Sequence, residues 1–244
     1  MLKWIISFSI LGSVGAVSGA ALLLFFPERI RKTIVPSLIS YATGTLLGAA
    51  FLGMIPSALE RAQPVPVLAT VLVGIILFFM LEKLLIWRHC HAEKCDIHST
   101  AGPLILIGDA FHNFIDGVVI AAAFSMSVSL GVATAIAVIA HEVPQEIGDF
   151  GILLDSDYSR RRAFLYNLFS SSTTLPAAVI SYFYLEKITI AIPYILGLSA
   201  SSFIYIATAD LIPALHQKQG VGTGVRQFIL LLAGVGTIVI LHHG

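Results

Sequence analysis

The sequence predicts an all-α, polytopic membrane protein with eight transmembrane helices. Three observations carry this. Of the 244 residues, 57% are hydrophobic. Only 11% are charged, less than half of the roughly 25% usual in a soluble domain. The apolar residues also arrive in blocks of about 20, the length that spans a bilayer core. Such a composition excludes a soluble enzyme, a disordered chain and a nucleic-acid-binding protein. The formal net charge is zero, 14 basic against 14 acidic residues, so only the placement of charge is informative.

Taken in order, the spans run roughly 4–26, 34–59, 65–87, 101–124, 130–154, 163–185, 188–213 and 226–242, which together make 1–244 a single transporter-sized membrane domain. The first, Trp4 to Phe26, is too long for a signal-peptide core, and Glu28-Arg29-Ile30-Arg31-Lys32 follows it as a stop-transfer signal does. Gln63-Pro64-Val65-Pro66 and Ser125-Met126-Ser127 are turns between spans. The longest loop, 88–100, separates spans 3 and 4.

Counting Lys and Arg by alternate loops sets the orientation. The loops after spans 1, 3, 5 and 7 hold Arg29, Arg31, Lys32, Lys83, Arg88, Lys94, Arg160, Arg161, Arg162, Lys218 and Arg226. The other side holds Lys3, Arg61 and Lys187. Eleven against three predicts both termini outside the cytosol. An internal echo links Met54-Ile55-Pro56-Ser57-Ala58-Leu59 in span 2 to Leu211-Ile212-Pro213-Ala214-Leu215 in span 7. Those spans run in opposite directions, the arrangement of an inverted repeat.

Spans 4 and 5 carry the chemistry. In span 4, Asp109, His112, Asn113 and Asp116 fall within about 100° of one helix face. In span 5, His141 and Gln145 lie one turn apart, Glu142 and Glu146 likewise, and Asp149 continues the stripe. Pro144 has no N–H for the carbonyl of Ala140, which predicts a kink and a freed acceptor. Each mid-membrane carboxylate costs about 2.5–3.5 kcal/mol. Five of them (Asp109, Asp116, Glu142, Glu146 and Asp149), unpaired, would cost on the order of 15 kcal/mol. Neither span supplies a lysine or arginine to offset that, so cations or protons must. Imidazole with carboxylate and amide oxygen, without sulfur, suits zinc and neighbouring first-row divalent ions. For Asp210 in span 7, an accessory metal or proton role and a helix–helix hydrogen bond stand level.

At these residues the sequence resembles the ZIP (Zrt/Irt-like) family of divalent-metal transporters. The family's fourth helix carries D-x-x-H-N-x-x-D-G, here Asp109, His112, Asn113, Asp116 and Gly117. Its fifth helix carries, in one branch, H-E-x-P-H-E-x-G-D, matched at His141, Glu142, Pro144, Glu146, Gly148 and Asp149. Gln145 departs from that pattern, a neutral amide in place of a second histidine. The resemblance implies a 3+2+3 bundle with spans 4 and 5 central, and a binuclear metal centre between them. By position, His112, Asp116, His141 and Gln145 would form one site. Asn113, Asp116, Glu142 and Gln145 would form or share the other, with Asp109, Glu146 and Asp149 as accessory groups. The implied activity is movement of divalent metal, zinc first, with iron, manganese and cadmium as other candidates, into the cytosol. The metal is then substrate, and no catalytic cofactor is expected.

A second cluster, His89, Cys90, His91, Cys95 and His98 in the third loop, has a soft-metal composition suited to capture or sensing. His242 and His243 are a weaker collecting pair. The lipid bilayer is the surrounding partner, and small-residue stretches such as Ala121-Ala122-Ala123 allow a homodimer. The short ends suggest a cytoplasmic (plasma) membrane, with an organelle membrane open. Two other functions compete. His141-Glu142 begins like the H-E-x-x-H motif of a zinc metalloprotease, but Gln145 replaces its second histidine. A proton-coupled carrier of an organic substrate would want clamping Trp or Arg clusters, which the span faces lack.

Overall fold

A computed structural model of the chain describes residues 1–89, 97–185, 189–217 and 220–243. The described residues form long helices: α1 (Leu2–Leu24), α2 (Glu28–Leu59), α3 (Pro64–His89), α4 (Ile97–Met126) and α5 (Val128–Asp155). Then come α6 (Arg160–Ser171), α7 (Thr174–Leu185), α8 (Ile192–His216) and α9 (Val221–His243). Seven of these are long and apolar enough to cross a membrane. The sixth crossing is shared between α6 and α7. The chain is thus an all-α polytopic membrane protein, as its composition predicts.

The sixth span differs from the continuous helix expected over 163–185, and the run Ser170-Ser171-Ser172-Thr173-Thr174 explains it. Hydroxyls in this run donate to nearby carbonyls, Ser172 Oγ to Phe169 O at 2.7 Å and Thr173 Oγ1 to Ser170 O at 2.8 Å. Side chains that compete for the backbone in this way weaken a helix. Pro176 then removes the donor that the carbonyl of Ser172 would have met. The helix turns at 172–173 and resumes at Thr174.

Helix contacts carry the inverted repeat further than the sequence echo alone. α2 packs on α9 and α3 on α8; α4 packs on α6 and α7, and α5 on α1. Exchanging spans 1–3 for spans 6–8, and span 4 for span 5, maps these pairings onto one another. The contact of α5 with α9 has no such counterpart among the described residues. The echoed segments share a local device as well. α2 widens to π-type winding over Ala49–Met54 just before Pro56, and α8 does so over Ile206–Leu211 just before Pro213. Each widened turn absorbs the hydrogen bond that the proline cannot make.

Two close backbone approaches fix the bundle. A Cβ on Gly44 would stand 2.0 Å from the Leu231 carbonyl oxygen, joining α2 to α9. A Cβ on Gly117 would stand 2.2 Å from the Thr174 carbonyl oxygen, seating α4 on the start of α7. The apolar core (Leu46, Met54, Ile120, Phe124, Leu130, Leu196 and Phe203 among its members) fills the half of the bundle where α2 and α4 end and α5 and α8 begin. The opposite half, the end rich in Lys and Arg, is more open.

Candidate metal centre

The two polar faces meet where α4 packs against α5. From α4 come Asp109, His112, Asn113 and Asp116; from α5 come His141, Glu142, Gln145, Glu146 and Asp149. Asp109, Asn113, Asp116, His141, Glu142, Glu146 and Asp149 are all buried.

Four of these side chains converge. His112 Nε2 lies 3.1 Å from His141 Nε2, 3.7 Å from Asp116 Oδ2 and 3.5 Å from Glu142 Oε1. His141 Nε2 lies 3.4 Å from Asp116 Oδ2 and 3.6 Å from Glu142 Oε1. Four donors at 2.0–2.1 Å around a tetrahedral zinc would stand about 3.3–3.4 Å apart. The observed spacings bracket that value. Tautomer chemistry points the same way. His141 Nδ1 is 2.9 Å from the carbonyl oxygen of Ala137, an acceptor only, so Nδ1 carries the proton. In a neutral ring, Nε2 then offers a lone pair to the cluster, held in direction by that outer hydrogen bond. Two ring nitrogens at 3.1 Å need a proton or a cation between them.

A second group joins Asp109, Glu142 and Glu146, so Glu142 belongs to both. Eight carboxylate oxygens in Asp109, Asp116, Glu142, Glu146 and Asp149 are buried with no hydrogen-bond donor. Buried acceptors of that kind are costly and rarely left unmet. Their number in one place is what a cation-binding centre requires.

The remaining expected residues take different positions. Gln145 Nε2 donates to Asp109 Oδ1 at 3.2 Å, so its amide orients a carboxylate of the second group. Asn113 is turned from both groups. Its Nδ2 donates to Asp109 Oδ1 at 2.9 Å, and its Oδ1 accepts from Ser171 Oγ at 3.2 Å and Thr174 Oγ1 at 2.8 Å. The shared carboxylate is Glu142, where the sequence reading favoured Asp116 or Gln145. Asp210 stands with Asp109, Gln145 and Asp149 on the wall of a cavity of about 730 Å³. Cys90, His91 and Cys95 lie outside the described residues, as do the side chains of His89 and His98.

That cavity runs from His141 past Gly148 and Asp149 to Ile152, beside Ile105 and Leu211. These residues mark the bundle end where α4 begins and α5 and α8 finish. On the opposite side, the fully buried Phe203 of α8 sets its ring edge-on to His141, with centroids 5.9 Å apart. The centre is therefore reached from one end and closed by apolar side chains toward the other.

Ser171, Thr174 and Phe203 are site residues that the sequence reading missed. Ser171 and Thr174 were visible only as part of a small-residue run, and nothing in the sequence marks Phe203. Thr174→Val strips a buried donor from Asn113. It should lower stability by about 1–3 kcal/mol, seen as a fall in the melting temperature of the purified protein.

With the geometry in place, comparison with known proteins is decisive. A model of the ZIP zinc transporter family matches residues 87–242. The chain belongs to the ZIP zinc transporter family. Zinc transporter zipt-7.2 of Caenorhabditis elegans is 38% identical over 136 residues, 54% of this chain and 29% of that protein. Zinc transporter ZIP10 of Danio rerio is 33% identical over 148 residues, 57% of this chain and 17% of that one. Zinc transporter ZIP13 of Pongo abelii is 28% identical over 261 residues, 95% of this chain and 77% of that protein. The chain thus spans less than a third of the length of the first two relatives. Both motif helices of the ZIP resemblance, α4 and α5, fall inside the matched region.

Proposed function

We propose that this protein carries divalent metal ions, zinc foremost, across its membrane into the cytosol through two adjacent sites between α4 and α5. The observation that carries the reading is the group His112, Asp116, His141 and Glu142, whose ligand atoms all lie within 4.8 Å of one another. These four would hold the first ion. Asp109, Glu142 and Glu146 would hold or relay the second, with Gln145 orienting Asp109 and with Asp149 and Asp210 along the way out. A metal ion reaching the centre exchanges its water for imidazole and carboxylate donors. Sharing Glu142 makes the two positions compete for one charge, which favours passing an ion on over trapping it.

The cavity and the apolar plug supply direction. With the basic end of the bundle in the cytosol, the centre communicates with the cytosol and is sealed from outside. Release on that side and loading from the other need a second arrangement of the helices, as alternating access requires. The absence of a histidine at Gln145 rules against the two-histidine zinc-protease motif and leaves metal selectivity as the property this position tunes.

The test is tracer zinc uptake into proteoliposomes of purified protein, with iron, manganese and cadmium as competitors. Saturable uptake that the other ions suppress in graded order supports the reading; a rate equal to that of protein-free vesicles refutes it. Acidity supplies a second check. Imidazole binds metal only when neutral, and free imidazole takes up its proton near pH 6.5. Uptake should therefore be full above that pH and should fall as pH drops through it, by about tenfold or more between pH 7.5 and pH 5.5. A flat profile over that interval would count against histidine ligation.

A further inference from the structure

A second cavity, of about 570 Å³, lies where α1 and α5 end and α2 and α6 begin. Its walls include Phe25, Phe150 and Phe164, and it also receives Arg31, Arg160 and Arg161. Three guanidinium groups converging beside aromatic rings repel one another, and the apolar surroundings strengthen that repulsion. Among the described residues none of the three forms an ion pair. Glu28, the acid one turn before Lys32, is already taken by Lys32 Nζ at 2.6 Å. Arg31 Nε is buried without a hydrogen-bond partner. The site is thus built for an anion that the chain itself does not supply.

The turn that presents two of these arginines is well defined. Asp157 adopts φ 62°, and Tyr158 N donates to Leu153 O at 3.1 Å, ending α5 sharply. Ser159 caps α6, its side chain accepting from Arg162 N, so Arg160 and Arg161 open the first turn of that helix. The helix N-terminus adds to the positive potential there. All four helix ends around the cavity are ends of membrane crossings, which sets it at the depth of lipid headgroups. Phe25 is 77% exposed and faces the hydrocarbon side of the entrance.

We propose that this cavity binds a phosphate-bearing anionic lipid, the headgroup held by Arg31, Arg160 and Arg161 and the acyl chains laid along Phe25 and Phe164. An inorganic phosphate would satisfy the charges and leave the apolar walls unused, so the lipid is the better fit. Arg31 belongs to α2 and the other two arginines to α6, and these helices pack against α5 separately. A bound headgroup therefore ties α2 to α6 and stabilises this arrangement of the bundle. The assignment is independent of the metal centre.

Delipidated protein in neutral detergent is titrated with phosphatidylglycerol, with phosphatidylcholine and with inorganic phosphate, and read by native mass spectrometry and melting temperature. Phosphatidylglycerol should be retained and should raise the melting temperature; the other two should do neither. The triple variant R31Q/R160Q/R161Q should bind phosphatidylglycerol about 100-fold more weakly. R162Q, outside the cavity, should bind as wild type does. Equal binding of the two lipids by wild type, equal protection by inorganic phosphate, or unchanged binding in the triple variant overturns the proposal. Should the triple variant fold poorly, R31K/R160K/R161K keeps the charges and should keep the preference for phosphatidylglycerol; losing it contradicts a headgroup site.

Discussion

His112→Ala and His141→Ala should each reduce the initial rate of zinc uptake by about 100-fold or more, with the protein still folded. Disturbing an outer hydrogen bond to a metal ligand commonly costs 10–100-fold in affinity or activity, and removing the ligand itself should cost at least that. The two nitrogens stand 3.1 Å apart and share the same carboxylates, so they act as a unit. The double variant should therefore be little worse than either single one, because coupled residues are not additive. Folding should survive, since alanine suits a helix at both positions and neither ring anchors a helix contact through its polar atoms, His141 apart, whose Nδ1 meets its own helix at Ala137. The check is tracer uptake into proteoliposomes normalised to folded protein. Retention of more than about half of the wild-type rate in either variant would remove that histidine from the path.

Gly117→Val should abolish folding, and even Gly117→Ala should lower the melting temperature by many degrees. The added Cβ would stand 2.2 Å from the Thr174 carbonyl oxygen, 2.9 Å from the Ala177 Cβ and 2.9 Å from the Ala178 nitrogen. Two of those atoms are backbone, so no side chain can turn aside; α4 and α7 must separate. Overpacking of this sort costs about 1–3 kcal/mol where the structure can yield, and more where it cannot. The displacement would also pull Thr174 from Asn113, so the loss reaches the metal centre. Melting of detergent-purified variants reads it directly. By contrast Gly148, where a Cβ would meet nothing within 4 Å, should accept alanine with little change in stability.

Most of the fold was legible because span length and loop charge are one-dimensional signals. The expected bounds of α3 and α5, 65–87 and 130–154, fall within Pro64–His89 and Val128–Asp155. The site was legible to the same degree and for a related reason. Helical spacing alone puts Asp109, His112 and Asp116 on one face and His141 and Glu142 on another, and only a partner helix could satisfy such faces in a membrane.

What stayed hidden depends on how two helices are rotated and tilted against each other. No spacing rule says that Glu142 stands between the two groups while Asn113 turns to Ser171 and Thr174. The break at 172–173 was masked because the run Ser170 to Thr174 reads as ordinary small-residue packing until its hydroxyls are seen bonding carbonyls. Phe203 reads as one more apolar residue of span 7 until α8 lays its ring against His141. Asp210 was ambiguous as a lone polar residue, and its place on the cavity wall is a tertiary fact.

X-ray absorption at the zinc edge, on protein loaded with two equivalents of zinc, tests the central claim most directly. The account predicts a first shell of nitrogen and oxygen only, at about 2.0–2.1 Å, with clear imidazole scattering that weakens in His112→Ala and His141→Ala. A shell containing sulfur at about 2.3 Å, unchanged in those two variants, would place the metal on cysteine and contradict it.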